Sequence, residues 1–175
     1  MGVDLRVAMR NFATGVCVMS TKVDGPDGPE HDAVTVNSLT SLSLDPPLVS
    51  VCLRRDSVFL ADLLVSGSWA VSILDIGASD VARAFATKRE HRRAALATVS
   101  AVPGEHTGAL VLDGPSWLEC GLRQVVEVGD HTLLIGDVLA TGSQDRRPPL
   151  VFLHGEYHAV GAGGANRHDR EVRTR

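Results

Sequence analysis

The residues best suited to chemistry lie in one stretch, residues 34–53, which reads VTVNSLTSLSLDPPLVSVCL. This stretch carries six hydroxyl side chains and one amide among leucines and valines, and its only charged residue is Asp45. Two hypotheses explain so many neutral hydrogen-bonding groups. Either the hydroxyls satisfy nearby backbone groups within strands, or they form a wall that binds a flat, neutral ligand with hydrogen-bonding edges. The choice depends on the elements that position the stretch.

The composition indicates one domain without a strongly charged binding surface. A chain of 175 residues can bury about 70% of its unfolded surface without disulfides or metals. With 17 basic and 21 acidic residues the formal net charge is −4, which disfavours binding to nucleic acid or to an anionic membrane. No stretch approaches 18 apolar residues and no signal-like cleavage site follows the N-terminus, so no membrane segment or export is predicted.

The cysteines indicate the compartment. Cys17, Cys52 and Cys120 are odd in number, widely spaced, and each lies in an apolar run. Such residues are typical of reduced, buried thiols. We therefore expect a cytoplasmic protein without a disulfide framework.

The first third of the chain predicts one short helix followed by strands. The apolar spacing favours a helix over residues 3–14 and a strand over 16–21. Glycines and prolines predict a turn-rich loop over 24–32. Two further strands are expected at 33–43 and 48–54, separated by a double-proline corner.

The middle of the chain predicts two helices around one strand. Ser57 is the expected N-cap of a helix that Gly67 ends. A strand follows at 69–74, and Ser79 is expected to cap a second helix that reaches about Arg93.

The C-terminal half is mostly β. Residues 116–143 predict two long strands around a turn at Gly129-Asp130, and residues 149–158 predict a last strand broken at Gly155. Seven or so strands with a few short helices, and no regular βαβ alternation, favour a closed antiparallel barrel.

One domain over residues 1–160 and a disordered tail over 161–175 are expected. The tail reads GAGGANRHDREVRTR and lacks apolar anchors. We find no internal repeat in the sequence.

The common catalytic signatures are missing from the sequence. It contains no GxGxxG, GxxxxGK[ST], CxxC or HExxH motif. His154 and His158 are four residues apart, but the spacing indicates no third metal ligand. Serines of the opening stretch have no nucleophile elbow and no base nearby in sequence. We therefore assign no catalytic side chain and no metal ligand.

Five fragments in register carry a family resemblance. They are NFATGVCVMST (11–21), TVNSLTSLSLDPPLVSVCL (35–53), FATK (85–88), GDHTLLIGDV (129–138) and PLVFLHGEYH (149–158). In order and spacing they resemble the short-chain flavin reductases that serve two-component monooxygenases. The resemblance implies a flavin-binding split barrel, a homodimer with sites near the subunit interface, FMN or FAD as flavin, and NADH or NADPH as reductant. It also implies a flavin-dependent monooxygenase that receives the reduced flavin.

The resemblance assigns residues to the two rings and the phosphate. The implied flavin-ring contacts and neighbours are Thr35, Val36, Asn37, Ser38, Cys52, Leu53, Phe85 and Ala86. The phosphate candidates are Ser41, Ser43, Arg54, Ser57 and Lys88. The implied nicotinamide-side residues are His131, Gly155 and Tyr157. The structural alternatives are an N-cap for Ser57, a solvated charged face for the basic residues, a turn histidine for His131, a core or rim position for Tyr157, and helix packing for Phe85 and Ala86.

The resemblance favours the ligand-wall hypothesis for the opening stretch, because an oxidised isoalloxazine is planar, uncharged and rich in hydrogen-bonding groups at one edge. Ala33 stands where many relatives have glycine, and Leu39 replaces a common phenylalanine. Two other functions stay open: a flavin-binding module without turnover, and a split-barrel oxidase that acts on a pyridoxal-type phosphate.

Overall fold

Strands dominate the structure. A computed structural model describes residues 4–26, 28–144 and 146–160, and the predicted tail over 161–175 lies outside these described residues. The strands are β1 (Thr14–Gly15), β2 (Cys17–Gly25), β3 (Gly28–Val36), β4 (Thr40–Leu44), β5 (Pro47–Arg54), β6 (Ser68–Ile73), β7 (Ala101–Pro103), β8 (Leu110–Leu112), β9 (Ser116–Val128), β10 (His131–Ser143), β11 (Leu150–Leu153) and β12 (Glu156–Ala159). The helices are α1 (Leu5–Met9), α2 (Val58–Ser66), α3 (Ser79–Phe85) and α4 (Arg89–Leu96), with a 3₁₀ turn at Ile76–Ala78. The predicted class, mainly β with a few short helices, is confirmed.

Seven strands form the main sheet, in the order β3-β2-β6-β9-β10-β5-β4. Every neighbouring pair is antiparallel. The longest hairpin joins β9 to β10 through the predicted turn, where Gly129 has a φ of +59°. Two small sheets, β1-β11-β12 and β7-β8, complete the described strands.

The main sheet curls strongly because its two edge strands are consecutive in the chain. Only residues 37–39 separate the end of β3 from the start of β4, so these ends lie at most about 14 Å apart. Seven strands laid flat would place the edges about 29 Å apart. No ladder joins β3 to β4 within the described ranges, so the closed barrel stays a prediction.

The main core joins residues of α2 to residues from six strands of the main sheet. Helix α2 buries Phe59, Leu60 and Leu63 there, against strand residues that include Trp69 and Leu134. Gly136 makes room for the indole, because a Cβ at this position would lie 2.4 Å from Trp69 Cη2. A second cluster packs Phe85 of α3 and its neighbours against β2 and β11. The helices α2 and α3 thereby acquire fixed positions beside β3.

Several predicted elements differ in extent. The turn-rich loop over 24–32 is wrong, because β2 and β3 continue as a hairpin to Gly25 and Gly28. Gly28 has a φ of +118°, and Pro29 is tolerated because β3 is an edge strand. The strand over 33–43 is interrupted at residues 37–39.

The helix predictions also need correction. The first helix covers only Leu5–Met9, and Thr14 already belongs to β1. The helix predicted from Ser79 to Arg93 is two helices with a break at residues 86–88. Ser79 is the first residue of α3 rather than its N-cap. The described residues form twelve strands rather than seven, because the strands predicted at 33–43 and 149–158 are each divided in two and the short strands β1, β7 and β8 have weak sequence signals.

Candidate active site

A cavity of about 640 Å³ opens where β3, β5, the start of α2 and the α3–α4 connection meet. Its size falls within the range of about 300–1,000 Å³ that is typical of small-ligand sites. Twelve of the predicted site residues line it, namely Thr35, Val36, Asn37, Ser38, Cys52, Leu53, Arg54, Ser57, Phe85, Ala86, Lys88 and His131. The structure thus brings together residues from five separate parts of the sequence.

The Thr35 and Ser38 hydroxyls hydrogen-bond to backbone groups. Thr35 Oγ1 donates to the Ala82 carbonyl at 2.7 Å. Ser38 Oγ donates to the Cys52 carbonyl at 3.0 Å and accepts from the Cys52 N–H at 3.1 Å. The first hypothesis for the opening stretch is therefore right for these two side chains. Among the hydrogen bonds of the described residues, none involves the Asn37 side chain, which is exposed at the cavity.

The three cysteines are neutral thiols, and two of them, Cys17 and Cys120, are buried as predicted, whereas Cys52 is half-buried. Burial raises the pKa of Cys17 to about 12, and burial followed by the nearby Glu119 charge does the same for Cys120. Burial also raises the pKa of Cys52, which lines the cavity. All three thiols are free, as predicted, and their protonated form prevails at neutral pH.

Four basic side chains line the cavity, and three are paired with acids. Arg54 forms a two-point contact with Asp56 at 2.9 and 2.7 Å. Arg89 Nη2 lies 2.7 Å from Asp62 Oδ2, and Arg92 is paired with Asp32. The fourth, Lys88, has no ion pair among the described residues. Lys88 is therefore the cation that is available to an anionic group in the cavity.

Two helices begin at this cavity. Ser57 precedes α2 with extended backbone, yet its side chain makes no capping hydrogen bond. Lys88 precedes α4 in the same way, also without a side-chain cap. The unpaired N–H groups of a first helical turn favour anions. Ser57 is the N-cap residue of α2, as predicted, but its hydroxyl makes no capping hydrogen bond and is available to a ligand at the cavity.

His131 lies at the rim of the cavity, at the start of β10. It is the cross-strand partner of Arg54 on β5 and lines the cavity. Its Nδ1 also lies 2.8 Å from Asp130 Oδ1, and this hydrogen bond lowers the pKa of the Asp130 carboxyl. Both interpretations of His131 therefore describe part of its environment: it makes a local hydrogen bond and faces the cavity.

Four predicted site residues lie outside the lining of the main cavity. Ser41 and Ser43 are on β4. Tyr157 lines a neighbouring cavity of about 180 Å³ and packs on Phe152, with ring centroids 5.5 Å apart. Gly155 lines another cavity of about 340 Å³. Asn37 borders all three cavities, so these two spaces are neighbours of the main one.

Sequence reasoning missed several lining residues around the α3–α4 connection. Thr87, Arg89 and Arg92 line the cavity, as does Asp56 near the start of α2. The available signal was the basic run KREHRR that follows FAT. The run does not reveal which of its cations face acids on β3, because that pairing is long-range.

Among residues 4–26, 28–144 and 146–160, no three His, Cys, Asp or Glu side chains are grouped to hold a metal ion. His154 Nε2 lies 3.2 Å from Asn11 Oδ1, and His158 Nε2 lies 3.2 Å from the Leu153 carbonyl oxygen. None of the described helices has the length and apolar character needed to cross a membrane.

Comparison with known proteins places the chain in a family. Residues 9–161 match the model of the flavin reductase like domain. The chain belongs to this flavin reductase family. It is 36% identical over 160 residues to an NADH-dependent FAD reductase from Streptomyces globisporus, covering 89% of this chain and 84% of that protein.

Two solved structures of flavin reductases are also similar to the chain. BorF is the flavin reductase component of a bacterial two-component tryptophan halogenase. It matches with a TM-score of 0.79 and 36% identity, covering 89% of this chain and 95% of that chain. The styrene monooxygenase flavin reductase from Pseudomonas putida S12 matches with a TM-score of 0.74 and 31% identity, covering 89% of this chain and 97% of that chain. The resemblance seen in the sequence fragments is confirmed.

Proposed function

We propose that this protein is an NAD(P)H-dependent flavin reductase, which transfers hydride from nicotinamide to FMN or FAD. The observation that carries the proposal is the main cavity. A neutral, partly apolar wall from β3 and β5 lines the same cavity as Lys88 and the starts of α2 and α4. An oxidised flavin has the same two chemistries, a flat neutral ring and an anionic phosphate. Similarity to NADH-dependent FAD reductase supports the assignment.

The residues of the cavity fit a flavin. Val36, Leu53 and the neutral thiol of Cys52 would contact the ring, with Phe85 and Ala86 behind it. The Asn37 amide would hydrogen-bond the polar ring edge. Ser57 and Lys88 would hold the phosphate through a hydroxyl and a positive charge. Ser41 and Ser43 stay predicted phosphate contacts.

Hydride transfer makes modest demands on the side chains. A bound flavin supplies the electron acceptor, so the protein needs no nucleophile of its own. The protein must hold two rings at about 3–3.5 Å and exclude water. His131, and with it Gly155 and Tyr157, would guide the nicotinamide. The Asn37 amide would stabilise negative charge that develops on the ring.

We further propose a homodimer that passes reduced flavin to a monooxygenase partner. Leu42 and Leu44 on edge strand β4 are 49% and 90% exposed, which suits contact with a second subunit. Similar proteins are the reductase components of a styrene monooxygenase and a halogenase. We also propose one domain over residues 1–160, closed as a split barrel, in the cytoplasm. The short 37–39 connection supports the closure of the barrel. The three free thiols support the cytoplasmic location.

The deciding experiment is NADH or NADPH oxidation with and without added FMN, FAD or riboflavin. We expect oxidation only when flavin is present and at a rate far above that of free flavin. A binding-site variant, Asn37→Leu, removes the amide and should weaken flavin binding while the fold persists. Oxidation no faster than the free-flavin background would overturn the proposal.

The two alternatives give different results in the same preparation. A flavin-binding module would copurify with tightly bound yellow flavin and consume no NADH. A split-barrel oxidase would convert pyridoxine phosphate and consume oxygen without NADH. Lys88 and the helix starts fit a phosphate in either case, so the neutral ring wall of the cavity is the feature that favours flavin.

A further inference from the structure

A buried ion pair lies directly behind the Lys88 end of the main cavity. Asp32 on β3 is 2% exposed and Arg92 on α4 is 8% exposed. Arg92 Nε donates to Asp32 Oδ1 at 3.0 Å, and Nη2 donates to Oδ2 at 2.6 Å. Asp32 Oδ1 also accepts from the Ala33 N–H at 2.8 Å, which fixes the carboxylate on its strand.

Arg92 makes a third hydrogen bond, to the connection between α3 and α4. Its Nη1 donates to the Thr87 carbonyl at 2.8 Å. Thr87 belongs to the short connection between α3 and α4, next to Lys88. One guanidinium therefore joins strand β3 to the connection that carries the available cation of the cavity.

We propose that Arg92 is a positioning residue that holds Lys88 and the start of α4 at a fixed distance from the β3 ring wall. This inference rests on the proposed function and deepens it. It assigns recognition of the flavin phosphate to a three-part unit, consisting of Asp32, Arg92 and the Thr87–Lys88 connection. Asp32 belongs to this unit without lining the cavity.

The surrounding contacts show why such a unit is needed. Helices α3 and α4 have seven and eight residues, too short to hold their place without tertiary contacts. Strand β3 contacts α3 through the Thr35 hydroxyl and the Ala82 carbonyl at 2.7 Å. Arg92 joins the same strand to α4 through its two-point pair with Asp32, beside the exposed Arg93–Glu30 pair and the longer Arg89–Asp32 pair at 3.9 Å. The same strand thus presents the ring wall and fixes both helices that flank the phosphate end.

The best test compares FMN with riboflavin, which has the same ring but no phosphate. Arg92→Lys keeps a positive charge beside Asp32, but one ammonium cannot reproduce the two-point pair together with the Thr87 contact. We expect the Kd for FMN to rise about ten-fold, the loss of one charge-assisted hydrogen bond, while the Kd for riboflavin stays nearly constant. The matched control is Arg93→Lys on the same helix, where Arg93 pairs with Glu30 at the surface, and both constants should stay at the wild-type values.

Asp32→Asn separates positioning from direct contact with the phosphate. If Arg92 itself bound the phosphate, removing its acidic partner would preserve or strengthen FMN binding. If Arg92 positions Lys88, the same change weakens FMN binding selectively. Should Asp32→Asn not fold, Asp32→Glu keeps the charge, displaces the guanidinium and should give the same selective loss.

Each outcome has a distinct meaning. Equal loss of FMN and riboflavin binding in Arg92→Lys would mean general damage and would overturn the inference. An unchanged preference for FMN over riboflavin in Arg92→Lys would also overturn the inference. A wild-type protein that does not prefer FMN over riboflavin would contradict the phosphate assignment on which the inference rests, whereas NADH oxidation no faster than the free-flavin background would contradict the proposed function.

Discussion

The two rims of the main cavity differ in the exposure of the acidic residues that pair with their basic residues. At the α4 rim, formed by residues 87–92, the acids that pair with Arg92 and Arg89 are largely buried, with Asp32 and Asp62 side chains 1% and 19% exposed. At the β5 rim, formed by Arg54, Asp56, Asp130 and His131, the pair is in solvent, with Arg54 and Asp56 side chains 68% and 69% exposed.

This difference indicates that the availability of a cation depends on where its acidic neighbours lie. Acids beneath the α4 rim bind Arg89 and Arg92 and leave Lys88 toward the cavity. Acids beside Arg54 cancel its charge at the place where a ligand would approach. We therefore expect phosphate at the α4 rim and the nicotinamide at the β5 rim.

Removing a buried cation should have the largest effect. Arg92→Met leaves the buried Asp32 carboxylate without its two-point partner and with only Arg89 Nε, at 3.9 Å, which should lower the free energy of unfolding by about 3–5 kcal/mol. Arg54→Met removes an exposed pair and should leave the unfolding midpoint in urea unchanged. Equal midpoints for the two variants would mean that the rims do not differ in this way.

Lys88 should matter most for the phosphate. Lys88→Met should raise the Kd for FMN about 20-fold, because a hydrogen bond to a charged group contributes about 1.5–3 kcal/mol. Arg54→Met should change it by less than about three-fold, because Asp56 already neutralises the guanidinium. Fluorescence titration of both variants with FMN measures this. A larger loss in Arg54→Met would place the phosphate at the β5 rim.

His131 should affect the other cofactor. His131→Ala should raise the KM for NADH or slow the reduction of bound flavin by about ten-fold, the loss of one contact or hydrogen bond. Flavin affinity should barely change. Anaerobic single-turnover reduction across NADH concentrations measures this, with His158→Ala as the control histidine. Superimposable curves for wild type and His131→Ala would remove His131 from the nicotinamide side.

The smallest effect is expected at Asp56. Asp56→Asn should free Arg54 and tighten FMN binding about two-fold. The hydrogen bond from Arg54 lowers the pKa of Asp56 below its usual value of 3.8. The pairing therefore contributes above pH 3.8 and is lost as the pH falls through the lowered pKa. The difference in FMN Kd between wild type and variant should stay constant between pH 5 and 8, and a difference that changes within this range would contradict this explanation.

Local signals in the sequence predicted the larger features of the fold. The β9–β10 hairpin follows from two β-rich runs around Gly129, and α2 follows from an apolar run that Gly67 ends. The break between α3 and α4 was missed, because residues 86–88 contain no glycine or proline. That break depends on tertiary contacts, among them the hydrogen bond from Arg92 to the Thr87 carbonyl.

The candidate site shows a similar division. Motif resemblance located Thr35, Ser38 and Lys88 at one cavity. It did not predict that the two hydroxyls bond to backbone, or that Lys88 alone among the lining cations has no ion pair in the described chain. These properties depend on residues that are distant in sequence, such as Asp32 and Arg92, and residue type alone does not encode them.

Ser38 has one more consequence, for local opening of the wall. In the β4–β5 register Thr40 lies opposite Ser50, so Ser38 falls opposite Cys52. There the Ser38 hydroxyl takes the place of the backbone groups of a partner strand: it donates to the Cys52 carbonyl and accepts from the Cys52 N–H. A single rotation about χ1 of Ser38 releases both bonds, whereas a strand ladder opens cooperatively. Amide hydrogen exchange at Cys52 should therefore report ligand entry directly, slowing when the cavity is filled and speeding up when it is empty.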